Sequence, residues 1–98
     1  MRRVLFTEAA RADLAEAVDW YHVHAAQMVP EFRESVRAAV ARIAANPKQF
    51  PAGPHQTRRA LLQRFPYLLI FRETDEDCYV VAVFHTRRDP TTWRRRTE

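Results

Sequence analysis

The sequence predicts an α+β fold in which a helical hairpin packs on one face of a small, mostly antiparallel sheet. Two observations lead to this prediction. Apolar residues recur at helical spacing through the first half of the 98-residue chain. After a proline-containing loop at residues 47–57, the pattern changes to three short runs of branched and aromatic residues, which are typical of strands. The predicted order is β-α-α-β-β-β, followed by a short C-terminal helix.

The first half begins with a short predicted strand at residues 4–6 and continues into two helices. Thr7 can cap the first helix, because its hydroxyl can accept from the free amides of the first turn. Helical spacing carries this helix to about residue 24, and its apolar residues are Ala10, Leu14, Ala17, Val18 and Tyr21. The second helix begins near Pro30 and ends at Asn46-Pro47. Its apolar stripe consists of Phe32, Val36, Ala39, Val40 and Ile43.

Three strand-like runs follow, with the sequences RRALLQR (58–64), YLLIFRE (67–73) and CYVVAVFH (78–85). Phe65-Pro66 separates the first run from the second, because proline donates no hydrogen bond to a sheet. The acidic turn TDED joins the second run to the third. Strands with such tight connections are expected to pair antiparallel. Asp89-Pro90 resembles a helix cap followed by a first-turn proline, and it predicts a short basic helix that contains Trp93.

One helical hairpin covers one face of a sheet, so the other face is expected to stay open. Because alternate strand residues face opposite sides, Arg58 and Arg64 are expected on one face and Arg59 on the other. Arg87 and Arg88 are expected on the open face. These arginines could simply be hydrated. The alternative is a groove for an acidic partner segment, since guanidinium groups form bidentate pairs with carboxylates.

Composition and charge limit the class of protein. Hydrophobic residues make up 47% of the chain, which supports one small core, so residues 1–98 are expected to form one domain. No run approaches the roughly 18 apolar residues of a membrane helix, and the single cysteine suits a reducing compartment. A soluble cytoplasmic protein is therefore expected. The net charge of +4 comes entirely from the second half, which favours encounters with polyanions or acidic proteins without selecting one.

No metal or organic cofactor is predicted. His22 and His24 lie two residues apart on a helix, about 200° apart around its axis, and cannot share one ion. Cys78 has no second cysteine with which to form a thiolate site, and it is expected to be a small core side chain. The one glycine, Gly53, lies outside any phosphate-binding pattern.

Four segments carry a resemblance to a known family: DLAEAVDWY, NPKQFP, RRALLQRFPYLLIF and VFHTRRDPTTW. In this order they resemble the RelE/ParE superfamily of bacterial toxins from type II toxin–antitoxin operons, and most of all the ParE subgroup, the plasmid stabilisation proteins. The resemblance extends from Val4 to Trp93. It implies inhibition of cell growth, and a cognate antitoxin whose C-terminal segment wraps the toxin.

The resemblance implies two alternative activities. ParE-like members poison DNA gyrase and are not thought to be nucleases, whereas RelE-like members cut messenger RNA on the ribosome. In the nucleases, basic side chains on the second and third strands, an arginine after the last strand and a C-terminal tyrosine carry the chemistry. Arg59 and Arg87 match that set in type. Leu61, Leu68 and Trp93 occupy the other positions of that set, and their side chains cannot perform the chemistry of the basic and tyrosine side chains found there in the nucleases.

His85 is the one candidate acid–base group beside Arg87. It could take a proton while guanidinium groups hold a phosphate, or it could simply end the strand and bond the turn. The first hypothesis is therefore a gyrase-binding toxin without catalytic residues. The second is a ribosome-dependent endoribonuclease that uses His85, Arg59 and Arg87. The third is an inactive family member.

The predicted partner-binding residues lie mostly in the basic C-terminal half: Arg58, Arg59, Arg64, Arg87, Arg88, Trp93, Arg94 and Arg95. The expected partners are a cognate antitoxin and DNA gyrase, or the ribosome with messenger RNA in the alternative. No membrane partner is expected. A homodimer and a toxin–antitoxin hetero-oligomer are both compatible with the sequence.

Overall fold

A computed structural model describes residues 1–87 and 91–96 of the chain. The elements follow the predicted order, and the α+β fold is confirmed. They are β1 (Arg3–Phe6), α1 (Glu8–His24), α2 (Val29–Ala45), β2 (Arg58–Leu61), β3 (Tyr67–Glu73), β4 (Asp77–His85) and α3 (Thr91–Arg94). The proposed cap at Asp89-Pro90 lies outside the described residues. No helix in the described ranges is long and apolar enough to cross a bilayer.

The four strands form one sheet in the order β1-β4-β3-β2. The predicted antiparallel pairing of the last three strands is confirmed, whereas β1 pairs with β4 in parallel. This parallel pair is short, since it joins β1 only to residues 77–80. One further bond, from the Thr7 N–H to the Val80 carbonyl at 3.0 Å, ends the pairing. Beyond Val80, the outer edge of β4 therefore has no neighbouring strand in the described chain.

The helix boundaries follow from local chemistry. The Thr7 hydroxyl caps α1 by accepting from the Ala10 N–H at 3.2 Å, as predicted. A 3₁₀ turn at Ala26–Met28 separates the two helices, and Pro30 lies in the first turn of α2, where its missing N–H costs no hydrogen bond. Asn46 ends α2, and its side chain accepts from the Lys48 N–H at 3.2 Å.

The main core lies between the helical hairpin and one face of the sheet. Its largest fully buried side chains include Phe32, Ile43, Leu69 and Phe71. Cys78 is fully buried in this core, as expected, and burial raises the pKa of its thiol, which disfavours the reactive thiolate. The helical hairpin therefore covers only the side of the sheet that carries these residues.

The expectation that the second face of the sheet stays open is wrong. Trp93 of α3 packs on that face and is only 6% exposed. It forms a second apolar cluster with Ile70, Val81, Ala82 and Phe84. The strand register shifts by one residue between Ile70 and Phe71, so that β4 contributes both Val81 and Ala82 to this side. The chain thus covers the centre of the second face with its own C-terminal segment.

Candidate functional site

Exposed basic and apolar side chains surround the cluster on the second face of the sheet. Arg59 and Leu61 of β2 lie opposite residues 70 and 68 of β3, and both are exposed, Leu61 by 57%. Arg72 of β3 follows Ile70 by two residues and therefore shares its side of the sheet. We call this surface, consisting of Arg59, Leu61, Leu68, Arg72 and residues 93–95 of the C-terminal segment, the basic face.

The C-terminal segment contributes two exposed arginines to the basic face. Arg94 places its guanidinium carbon 5.7 Å from the centre of the Trp93 ring, and Arg95 follows it at the surface. Trp93 itself fills the second core cluster, so a partner would meet these arginines before the indole. Arg87 is exposed in the turn after β4. The predicted partner residue Arg88 lies outside the described residues.

Arg58 is held within the protein by ionic contacts. Its Nε donates to Glu73 Oε1 at 3.2 Å, and its Nη1 donates to the Phe50 carbonyl at 2.8 Å. Glu73 also lies 3.5 Å from both Lys48 and Arg2. Burial raises the pKa of Glu73, but the hydrogen bonds and positive charges around it outweigh this effect, so its pKa lies below the usual value. Arg58 thus stabilises the junction of β2, β3 and the preceding loop.

Arg64 lies in a turn and does not belong to β2 with Arg58 and Arg59. The expectation that Arg58 and Arg64 share a sheet face is wrong, because β2 ends at Leu61 and Arg64 lies in the following turn. Arg64 adopts a left-handed conformation with φ of 70°. Its guanidinium is 3.8 Å from Glu31 at the start of α2. The three arginines therefore do not line a single groove.

His85 forms a structural contact at the end of β4. Its Nδ1 accepts a hydrogen bond from the Arg87 N–H at 3.1 Å, which fits the interpretation that it bonds the turn. The ring packs edge-on against Tyr67, its partner across the strands, with the ring centres 5.1 Å apart. Tyr67 packs against the main core on the helix side, whereas Arg59 projects from the basic face. The structure therefore does not bring His85 and Arg59 together.

A bidentate ion pair between α1 and the C-terminal segment was not predicted from the sequence. Arg96 donates from Nη1 and Nη2 to the two carboxylate oxygens of Asp13, at 2.7 and 3.0 Å. The pair also covers the free edge of β4, since Arg96 donates to the Val81 carbonyl and Asp13 accepts from the Val83 N–H, each at 3.0 Å. The sequence did contain an indication that Asp13 makes a contact within the protein, because Asp13 lies three residues after the buried Ala10, on the inward side of α1.

A groove of about 550 Å³ lies between α1 and the end of β4, and we call it the acidic groove. Among the described residues, its lining includes three carboxylates and no lysine or arginine. The remaining walls are mainly aromatic or imidazole rings. The lining residues used below are Asp13, Glu16, Asp19, Trp20, Tyr21, His24, Tyr67, Val83 and His85.

One rim of the acidic groove is formed by exposed side chains of α1. Trp20 is 51% exposed and stacks on His24 with the ring centres 4.3 Å apart. His24 Nδ1 is 2.9 Å from the Trp20 carbonyl, which fixes the imidazole beside the indole. Tyr21 forms the inner wall, and burial followed by the nearby Tyr67 raises its pKa, so its phenol stays neutral. The groove thus combines flat apolar surfaces with carboxylates, of which Asp13 is already paired with Arg96.

The described ranges contain no group of three or more histidine, cysteine or carboxylate side chains that could hold a metal ion. His22 and His24 are both exposed on α1, and the His24 ring is engaged with Trp20.

Comparisons with known proteins support the fold and also identify a family. The sequence profile of the ParE toxin of the type II toxin–antitoxin system parDE matches residues 4–90. A solved structure described as a chromosomal ParDE TA system from P. aeruginosa shares the fold, with a TM-score of 0.75 and 22% sequence identity. The match covers 89% of this chain and 98% of that one. No curated protein matches the sequence. Because the family profile spans most of its length, this chain belongs to the ParE toxin family of type II toxin–antitoxin systems.

Proposed function

We propose that this toxin arrests growth by binding DNA gyrase, without catalytic residues of its own, and that a cognate antitoxin neutralises it. Membership of a toxin–antitoxin family implies the antitoxin partner. The choice of gyrase over messenger RNA depends on the absence of a convergent nuclease site in the described part of the chain.

The observation that carries this choice is the separation of His85 from Arg59. Cleavage of RNA by its own 2′-oxygen needs an acid–base group and cations around one phosphate. His85 lies on the helix side of the sheet, where its Nδ1 is occupied, while Arg59 projects from the basic face. Two neighbouring positions on that face hold Leu61 and Leu68, which exchange no protons. The described residues therefore favour a binding protein over a nuclease.

The basic face is the surface that we propose for the gyrase contact. Guanidinium groups clamp carboxylates and phosphates in a fork geometry, so this surface suits an acidic protein region or DNA held by the enzyme. Arg59 and Arg95 are exposed on it, and Leu61 adds an apolar contact. Arg87 lies in the turn after β4 and adds positive charge at the end of that strand.

Supercoiling by purified gyrase tests the proposal. Micromolar toxin should inhibit supercoiling and leave cleaved DNA bound to the enzyme. The charge reversals Arg59→Glu and Arg95→Glu should weaken inhibition by about tenfold or more, as expected for the loss of charged contacts at an interface. Arg33→Glu is the matched control, because Arg33 is exposed on α2 on the opposite side of the sheet. Undisturbed supercoiling with the unmodified toxin would contradict the proposal.

Two further measurements distinguish the alternatives. A translation extract that receives the toxin should keep its messenger RNA intact. Shortened transcripts that become intact with His85→Gln would instead show the endoribonuclease. Normal growth of cells after induction of the toxin would indicate an inactive family member.

A further inference from the structure

Arg94 and Arg95 of the C-terminal segment, residues 91–96, lie between two anchored residues. Before them, Trp93 fills the second core cluster and is 6% exposed. After them, Arg96 forms the bidentate pair with Asp13 of α1. The Arg96 N–H also donates to the Trp93 carbonyl at 3.0 Å, which closes the turn that contains the two arginines. The two anchors together therefore determine where these arginines project from the basic face.

The pair of Arg96 with Asp13 is more enclosed than an ordinary surface ion pair. The two side chains are 29% and 16% exposed. By comparison, the side chains of the Arg37–Glu34 pair on α2 are each 71% exposed, and such pairs contribute little to stability. Two parallel hydrogen bonds between a guanidinium and a carboxylate also fix the relative orientation of the two groups. The contact between α1 and the C-terminal segment is therefore directional as well as attractive.

The sheet fixes the position of this ion pair. Arg96 donates to the Val81 carbonyl and Asp13 accepts from the Val83 N–H, each at 3.0 Å, so both partners are bonded to the outer edge of β4. The other carboxylates of the acidic groove lie further along α1, and their negative charge favours a guanidinium beside Asp13. Arg96 is thus bound at a defined place between α1 and β4.

The C-terminal segment depends on these contacts because it cannot hold its own shape. Its helix α3, Thr91–Arg94, has four residues, and helices shorter than about 12 residues are marginally stable in water. Trp93 and Arg96 lie within one turn of each other, so they dock and detach together. Loss of the Arg96 contact therefore lowers the fraction of molecules in which the whole segment, with Arg94 and Arg95, is in place.

We propose that Asp13 is a positioning residue for the gyrase contact. Through Arg96, it holds the C-terminal segment against β4 and keeps Arg94 and Arg95 on the basic face, where they meet the target. Asp13 itself lies beyond the edge of β4 and acts only through this ion pair. The inference rests on the proposed function, because it assigns a role at the same surface.

Fluorescence of Trp93 measures the docked fraction of the C-terminal segment. The chain has two tryptophans, so Trp20→Phe leaves Trp93 as the only one. In this background, Asp13→Asn keeps an oxygen that can accept from the edge of β4 but loses the charge that binds Arg96. Its emission should move to longer wavelength, and acrylamide should quench it more strongly. Glu34→Gln, which breaks the exposed pair on α2, is the matched control and should change neither. Unchanged emission in Asp13→Asn would overturn the proposal.

Inhibition of gyrase supercoiling measures the consequence for the target contact. A partner that needs the docked segment binds with an affinity reduced by the docked fraction, so a fraction of about one tenth raises the required toxin concentration about tenfold. We expect Asp13→Asn and Arg96→Gln each to raise the concentration for half inhibition by about tenfold. The double variant should raise it no further, because both changes break one contact. Additive losses would contradict an action of Asp13 through Arg96.

Combination with other arginine variants separates positioning from a general loss of stability. In a chain that carries Arg94→Ala and Arg95→Ala, Asp13→Asn should have little further effect, because the side chains that it positions are already absent. In a chain that carries Arg59→Ala, it should keep its full effect of about tenfold, because Arg59 belongs to β2 and does not depend on the clamp. An equal loss in both backgrounds would show that Asp13 merely stabilises the fold, and the proposal would be wrong.

Failure of this inference and failure of the proposed function give different results. If the unmodified toxin inhibits gyrase and Asp13→Asn inhibits it equally well, only the inference is wrong. If the unmodified toxin arrests growth without inhibiting gyrase, the proposed target is wrong, and the same variants scored by growth arrest should show the same pattern. If the unmodified toxin does neither, both are wrong, and a shift in Trp93 emission then shows a structural contact only.

Discussion

Replacement of Trp93 by alanine tests whether the C-terminal segment is part of the folded core. A buried tryptophan removes about 150–250 Å² from water, which at about 25 cal/mol per Å² corresponds to about 4–6 kcal/mol. The four-residue helix α3 can detach when the indole is lost, so no cavity has to remain in the second core cluster. The loss of stability should therefore be smaller than this transfer free energy. We expect Trp93→Ala to lower the free energy of unfolding by about 2–4 kcal/mol. For a domain of this size, that corresponds to a drop of about 10 °C or more in Tm.

The other tryptophan provides a matched control. Trp20 is 51% exposed, whereas Trp93 is 6% exposed, so Trp20→Ala should change the free energy of unfolding by about 0.5 kcal/mol or less. Urea unfolding followed by circular dichroism measures both variants without relying on tryptophan fluorescence. Limited proteolysis should also cut the C-terminal segment faster in Trp93→Ala than in the unmodified protein. If the two variants have equal stability, the second core cluster does not contribute as the structure indicates.

Three further predictions concern the backbone and the charged groups. Arg64→Gly should stabilise the protein by about 0.5–1 kcal/mol, because glycine adopts the φ of 70° without strain. Arg64→Ala keeps the strain and should not stabilise the protein. Thermal unfolding of the two variants measures the difference. Thr7→Ala should cost about 1 kcal/mol through loss of the α1 cap, whereas Thr7→Ser should retain most of the stability in urea titrations. In the folded protein the pKa of Glu73 is below its usual value. Its contribution to the stability of the fold is therefore present at pH values above its pKa in the unfolded chain, about 4.3, and is lost as the pH falls below that value. Glu73→Gln should therefore be less stable at pH 7, and its stability should fall less steeply below about pH 4.5; a variant with an unchanged acid profile would contradict this assignment.

The sequence predicts the elements well because each depends on local signals. Thr7 and Asn46-Pro47 bound the helices through capping and the missing N–H of proline, and they do so in the structure. The residues of β3 were predicted without error. β2 ends earlier than predicted, since the turn before Pro66 begins directly after Leu61 and places Arg64 in a left-handed conformation. The alternation of side chains between the two faces of a sheet cannot predict the position of a residue that lies beyond the end of its strand.

The surfaces were harder to predict than the elements, because they depend on contacts between distant parts of the chain. Trp93 was expected to contact a partner, yet it fills the second face of the sheet 23 residues after Ile70. Arg96 and Asp13 are 83 residues apart and meet only through the tertiary fold. Counts of charge placed the positive excess in the second half correctly. They could not show that the arginines separate onto different surfaces, or that α1 and β4 enclose a negative groove.

The parallel pairing of β1 with β4 has a consequence for biosynthesis. Arg3–Phe6 finds its partner at residues 77–80, so the first strand must wait until most of the chain has been translated. Contacts this distant in sequence carry a high loop-closure cost and slow the search for the native arrangement. The nascent helices can meanwhile associate with each other, since they are neighbours in sequence. A newly made molecule should thus stay incomplete, and without its finished binding surfaces, until its last quarter leaves the ribosome.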